Sequence, residues 1–187
     1  MVSLEATPEV LPVWRGLTAE TYDAMVDAGL LEGAPVELLE GMLVEMATQG
    51  EPHIETIAVL NRWFVRRLPD PWILRPQGTL AAGAASVPEP DLAVALHTPG
   101  VRPRTAALVI EVAETSQRKD LIAKPVIYAA AGVTEYWVLD LPRREVVVHT
   151  GPGSAGYAVV RRLPWTTPLP VPVDGVEDLQ LAALLPG

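Results

Sequence analysis

The sequence predicts an α/β fold, because short apolar strand-like segments alternate with amphipathic helical ones along the chain. One segment, A106-ALVIEVA113, is apolar almost throughout, as expected of a central strand covered on both faces. Size supports a single domain over 1–187: with 49% hydrophobic and 20% charged residues, the chain has the composition of a globular protein. At this length folding removes roughly 70% of the unfolded chain's surface from water, enough for one self-sufficient core.

Residues 1–16 contain Pro8 and Pro12 without a sustained period, which predicts an irregular lead-in. Thr18 is placed to cap a helix running through Ala28, with Gly29 as its terminator. V36-ELLEGMLVEM46 reads as a β-hairpin around the turn dipeptide Glu40-Gly41. Pro52 suits the first turn of a second helix, whose apolar residues Ile54, Ile57, Ala58, Leu60, Phe64 and Leu68 recur at near-helical spacing up to Pro69. Between Trp72 and Leu96 the segments WILRP, GTLAA and DLAVAL are short, apolar and bounded by Gly or Pro, so each predicts a strand. The central strand follows, then a helix from Arg118 to Ala131 closed by Gly132. T134-EYWVLD140 and E145-VVVHT150 form a second hairpin around residues 141–144. The core is thus expected to span about 17–150, followed by a proline-rich extension over 151–187 with a short helix near Leu179–Leu184.

Composition narrows the chemistry. With no cysteine, disulfides and thiolate ligands are excluded, and any metal must be held by carboxylate or histidine, which favours hard cations such as Mg²⁺ or Mn²⁺. The N-terminus lacks a basic stretch followed by an apolar core, and no apolar run approaches the roughly 20 residues that span a bilayer, so a cytoplasmic protein is expected. A net charge of −9 is the opposite of the usual footprint of a DNA-gripping protein. Any contact with phosphates would need a local basic patch, for which Arg62, Arg66 and Arg67 are candidates; the alternative is a solvated helix face. The phosphate-cradling and dinucleotide-binding glycine loops are missing, as is the nucleophilic serine elbow.

Two acids occupy positions where acids are costly. Asp91 opens an apolar strand after Pro90, and Glu111 lies inside Val109-Ile110-Glu111-Val112. A buried carboxylate must be paired, reached by solvent or bound to metal. On neighbouring strands the two can converge on one hard cation; otherwise Asp91 caps a turn and Glu111 pairs with a basic side chain. Asp120 and Lys124 stand four apart on the predicted helix, which makes them either a surface ion pair or a route for an ammonium back over the strand end. Glu37, on the first hairpin, is a third acid, and His53, at the start of the second helix, can exchange a proton or face water. His97 and His149 have no partner spacing. Tyr136 and Trp137 could stack on a base, although in a strand such residues are more often core.

Taken together, V36-ELLEG41, His53, P90-D91 and the block from L108-VIEVAETSQRKDLIAKPV to EYWVLD140 resemble the Uma-two family of restriction-endonuclease-like proteins, within the PD-(D/E)XK nuclease superfamily. The resemblance implies a restriction-endonuclease-like core, a mixed central sheet flanked by helices with a metal site at the sheet's edge. It implies that Asp91 matches the aspartate of the PD element and Glu111 the acid of the (D/E)XK element, with Glu37 contributed from before them. The superfamily's lysine position is Ala113 here, and Lys124, with Asp120 one turn before it, matches the substitute lysine of the following helix. The implied activity is Mg²⁺- or Mn²⁺-dependent hydrolysis of DNA, with Asp91, Glu111 and Glu37 as metal ligands, Lys124 beside the water, His53 as an auxiliary group and a homodimer as the acting form. The rival expectation is a non-catalytic interaction protein that keeps the nuclease fold.

Overall fold

A computed structural model describes residues 16–114 and 123–185. Helix α1 (Ala19–Asp27) starts where Thr18 accepts a hydrogen bond from the Thr21 amide at 3.1 Å, and Gly29, at φ 71°, ends it. Strands β1 (Val36–Leu39) and β2 (Met42–Glu45) pair as a two-stranded antiparallel sheet. Glu40 and Gly41 both have positive φ, 49° and 80°, the conformation that a two-residue hairpin of this twist demands. Helix α2 (Glu51–Val65) carries Pro52 in its first turn.

The main sheet has six strands: β3 (Trp72–Pro76), β4 (Leu92–Leu96), β5 (Leu108–Ala113), β6 (Glu135–Asp140), β7 (Glu145–Gly153) and β8 (Gly156–Pro164), lying side by side in that order. All neighbours are antiparallel except β5 and β6, which run parallel. Helix α3 (Lys124–Ala130) lies in the connection that a parallel pair requires. The sheet is therefore mixed, as the α/β expectation has it. All six residues of β5 are buried, which explains why its sequence is apolar except at Glu111.

Alternation along the strands divides the core into two layers. Leu92, Val94, Leu108, Ile110, Trp137 and Leu139 face one side, against Leu60, Trp63 and Phe64 of α2. Ala93, Ala95, Val109, Tyr136 and Val138 face the other, against Ile127 and Tyr128 of α3. Trp137 and Tyr136 are both core residues.

Three elements differ from the sequence expectation. GTLAA is not a strand: Leu80 donates to Pro88 O and Ala82 to Ser86 O, so the segment folds back on itself as a loop. Its apolar character reflects Leu80, which plugs the second core layer. The strand β8 was not expected, because Gly151, Pro152, Gly153 and Gly156 mask the hairpin that joins it to β7. Beyond it the proline-rich tail packs into the first core layer through Trp165, Leu169, Val171, Val173 and Leu181, and α4 (Leu181–Leu184) closes it. Of the helix expected over 118–131, residues 118–122 lie outside the described residues. Among the described residues, no helix is long and apolar enough to cross a membrane.

His149 gives this core a pH dependence. Its imidazole lies 5.1 Å from the Tyr136 ring and 5.7 Å from that of Tyr157, with Nδ1 3.1 Å from Tyr136 O. Burial pulls its pKa below the ordinary value, against the opposing effect of backbone hydrogen bonds. The folded state therefore favours neutral imidazole, and this stability is complete above the unfolded value near 6.5 and lost as pH falls through the folded one. His149→Phe should lose less melting temperature than the wild type between pH 7 and pH 5, as parallel thermal melts would show. Parallel curves for the two proteins would remove His149 from the account.

Candidate functional site

Asp91 and Glu111 come together because of strand register. Leu92 pairs with Ile110 across the antiparallel β4–β5 ladder, so one residue further Asp91 stands opposite Glu111. Residues opposite each other on paired strands share a face, here the α3 side of the sheet. The Asp91 carboxylate accepts the Val112 amide at 2.7 Å through Oδ2 and meets His53 Nε2 at 2.9 Å through Oδ1. Its position is thus held from the neighbouring strand and from α2 at once.

Lys124, in the first turn of α3, reaches back over the end of β5. Its ammonium donates to Glu111 Oε1 at 2.7 Å and lies 3.2 Å from Glu37 Oε2. Glu37, Asp91, Glu111 and Lys124 are 1%, 7%, 5% and 3% exposed, so these charges sit in a medium that weakly screens them. Ala113, two residues beyond Glu111 on β5, shares its face and is buried. The ammonium that meets Glu111 comes from Lys124 of α3 and not from this strand. Asp120 lies outside the described residues. Arg62, Arg66 and Arg67 belong to the far end of α2, where Arg67 stacks over Trp63 and pairs with Glu177 at 2.6 Å.

Three further residues were not visible as site residues in the sequence. Tyr128, one helical turn after Lys124, donates its hydroxyl to the same Glu111 oxygen at 2.9 Å. Burial, followed by the charge of Glu111, holds its pKa well above the usual range, so it remains a donor. Its four-residue spacing from Lys124 was the available signal. Tyr128→Phe should cost about 1.5–3 kcal/mol in a urea titration, the usual worth of a hydrogen bond to a charged group. A loss below about 0.5 kcal/mol would mean that the hydroxyl does not support Glu111.

Glu114 accepts the amides of Gly50 at 3.2 Å and His53 at 3.1 Å, capping α2 from the end of β5. Gly50 cannot be replaced without displacing that carboxylate, since a Cβ there would lie 2.6 Å from Glu114 Oε2. No local pattern announces this, because the cap is 64 residues from the helix it serves. Glu89, just before Pro90, has its carboxyl pushed up by burial and then by the charge of Glu37, with Lys124 opposing and Asp91 adding.

The acids just described, with His53 and Lys124 but not Tyr128, line a cleft of about 470 Å³. Five carboxyl groups border it, those of Glu37, Glu89, Asp91, Glu111 and Glu114, against the single ammonium of Lys124 and the imidazole of His53. Such an excess of oxygen donors favours a hard cation. Among the described residues, no group of three or more histidines and carboxylates is gathered closely enough to hold a metal by itself. Two carboxylates from adjacent strands do fit the usual demand of Mg²⁺, which takes one or two protein carboxylates and completes its shell with waters and substrate phosphate.

The profile of the family Uma2, "putative restriction endonuclease", matches residues 19–183 of this chain. The chain belongs to the Uma2 family. A comparison with curated proteins gives no significant match. Among solved structures, a "putative nuclease belonging to DUF820" from Anabaena variabilis superposes with a TM-score of 0.62 at 14% identity, covering 80% of this chain and 88% of that one. At that identity the likeness shows the fold, which is nuclease-like. The Uma2 match includes β8 and the tail through residue 183, which the sequence places outside the core.

Proposed function

We propose that this Uma2 protein is a Mg²⁺- or Mn²⁺-dependent nuclease that hydrolyses DNA phosphodiester bonds, with Asp91 and Glu111 as metal ligands and Glu37 completing or widening the site. The observation that carries this reading is the placement of Asp91 and Glu111 opposite each other on paired strands, in an acid-rich cleft, with Lys124 2.7 Å from Glu111. When bound, the ion would supply Lewis acidity at the phosphoryl oxygen and a lowered pKa for its water. The chain's own residues supply the rest. The Val112 amide and His53 fix the orientation of Asp91, and Tyr128 and Lys124 fix that of Glu111. Lys124 also brings a positive charge to the place where negative charge builds up during displacement at phosphorus. Cutting both strands of a duplex would suit a two-fold homodimer.

The −9 charge and the absence of lysine at position 113 favour the second reading, a non-catalytic protein that keeps the fold. Incubation of the purified chain with plasmid, single-stranded DNA and RNA, in Mg²⁺, in Mn²⁺ and in EDTA, separates the two. Cleavage of DNA that requires the divalent ion is expected. Intact substrates under every condition would favour the binding protein.

A further inference from the structure

An acidic protein that handles nucleic acid needs at least one place where phosphate is welcome, and the expected arginines of α2 lie at the wrong end of that helix. A second cavity, of about 290 Å³, opens between β3, the end of β4 and the loop after it, lined by Arg75, Thr79, His97, Thr98 and Arg102 among others. Among its lining residues there is no carboxylate, in contrast to the five around the main cleft.

Arg75 is the unusual member. Its Nε is buried without a hydrogen-bond partner, and no ion pair to its guanidinium is found among the described residues. The group lies over Gly78, where an added Cβ would stand 3.3 Å from both Nε and Nη2. Arg75 itself is half-buried and lines the cavity, so its planar guanidinium can offer charge-assisted hydrogen bonds to an acceptor there. Arg102, by contrast, is anchored bidentately to Asp23, at 2.8 and 3.2 Å, which fixes the other wall. Thr79 and Thr98 add hydroxyl donors, and His97 an imidazole.

The strands say where this cavity lies relative to the cleft. Trp72 and Leu74 pack into the α2 layer, so Ile73 and Arg75 project from the opposite face, the one that carries Asp91 and Glu111. The Gln77 amide donates to Asp91 O, and Gln77 itself lines the cleft. Arg75 lies on β3, two residues before Gln77, which follows the strand with φ 47°, so the cavity and the cleft are neighbours along the chain.

We infer that the Arg75 cavity binds a backbone phosphate of the nucleic-acid strand, next to the phosphate held in the Asp91–Glu111 cleft. The inference rests on the nuclease reading for the identity of the strand, and on Arg75 for the site. A guanidinium suits this role because its planar donors match two phosphate oxygens.

The test is the binding of a short fluorescein-labelled single-stranded oligonucleotide to the full chain, followed by anisotropy over a salt series in Ca²⁺ buffer. Relative to wild type, Arg75→Gln should bind several-fold more weakly, with a log–log salt slope shallower by about 0.7, the value for one lost contact to a single strand. Arg75→Lys, which keeps the charge, should retain the slope, and thermal melts establish that both variants are folded. Wild-type affinity and slope in Arg75→Gln would overturn the inference, even if the wild type cleaves DNA. If the wild type binds in an Arg75-dependent way and never cleaves, the phosphate site stands and the nuclease reading falls. A chain that responds to inorganic phosphate through Arg75 but ignores the oligonucleotide would overturn the strand path, as would a wild type that binds no oligonucleotide at all.

Discussion

Lys124→Met should destabilise the metal-free protein by about 3–5 kcal/mol, the usual cost of removing one partner from a buried ion pair. The ammonium is 3% exposed and stands between Glu111, at 2.7 Å, and Glu37, at 3.2 Å. Without it, two buried carboxylates face each other with no intervening charge. Methionine fills much of the same volume, so the loss reports charge more than cavity. Urea denaturation measures it, and Glu37→Gln in the same background should recover part of the stability by removing one of the two like charges. A cost under about 1 kcal/mol would show that water already screens the cluster. In cleavage, the same variant should lose about 10²–10³ in kcat, as expected when one positioned electrostatic donor is removed.

Asp91→Ala should abolish cleavage altogether. The Asp91 carboxylate touches His53 and the Val112 amide, and it faces Glu111 across the ladder. Its removal therefore takes away a proposed metal ligand and leaves the buried Val112 amide without its acceptor, which costs about 1–3 kcal/mol of stability as well. Asp91→Asn can still accept from that amide, so it should fold better than Asp91→Ala while cleaving no better. Activity in Asp91→Asn within tenfold of wild type would remove the carboxylate charge from the mechanism.

How far the sequence foretold this site depends on how local each signal is. Asp91 and Glu111 stood out because an acid interrupts an otherwise continuous apolar run, and their meeting required only that β4 and β5 be neighbours. Lys124 became prominent through the family pattern and the missing lysine at Ala113. Tyr128 and Glu114 remained hidden because a helical tyrosine and a strand-end glutamate look ordinary until the partner is known. For the fold, Thr18, the Glu40-Gly41 turn and Gly29 were legible, since caps and tight turns are set by a few adjacent residues. GTLAA misled because an isolated core plug such as Leu80 has the same composition as a short strand. The tail, read as a proline-rich extension, carries Leu169, Val171 and Val173 among its prolines, and these are buried against the sheet.

A divalent cation held by Asp91 and Glu111, as proposed, can be tested without turnover by calorimetric titration of Mn²⁺ into the wild type and Asp91→Asn. Saturable binding is expected in the wild type, together with a higher melting temperature as the folded state gains a ligand. Both effects should vanish in Asp91→Asn. Absence of saturable heat in the wild type, or an identical isotherm in the variant, would contradict the account.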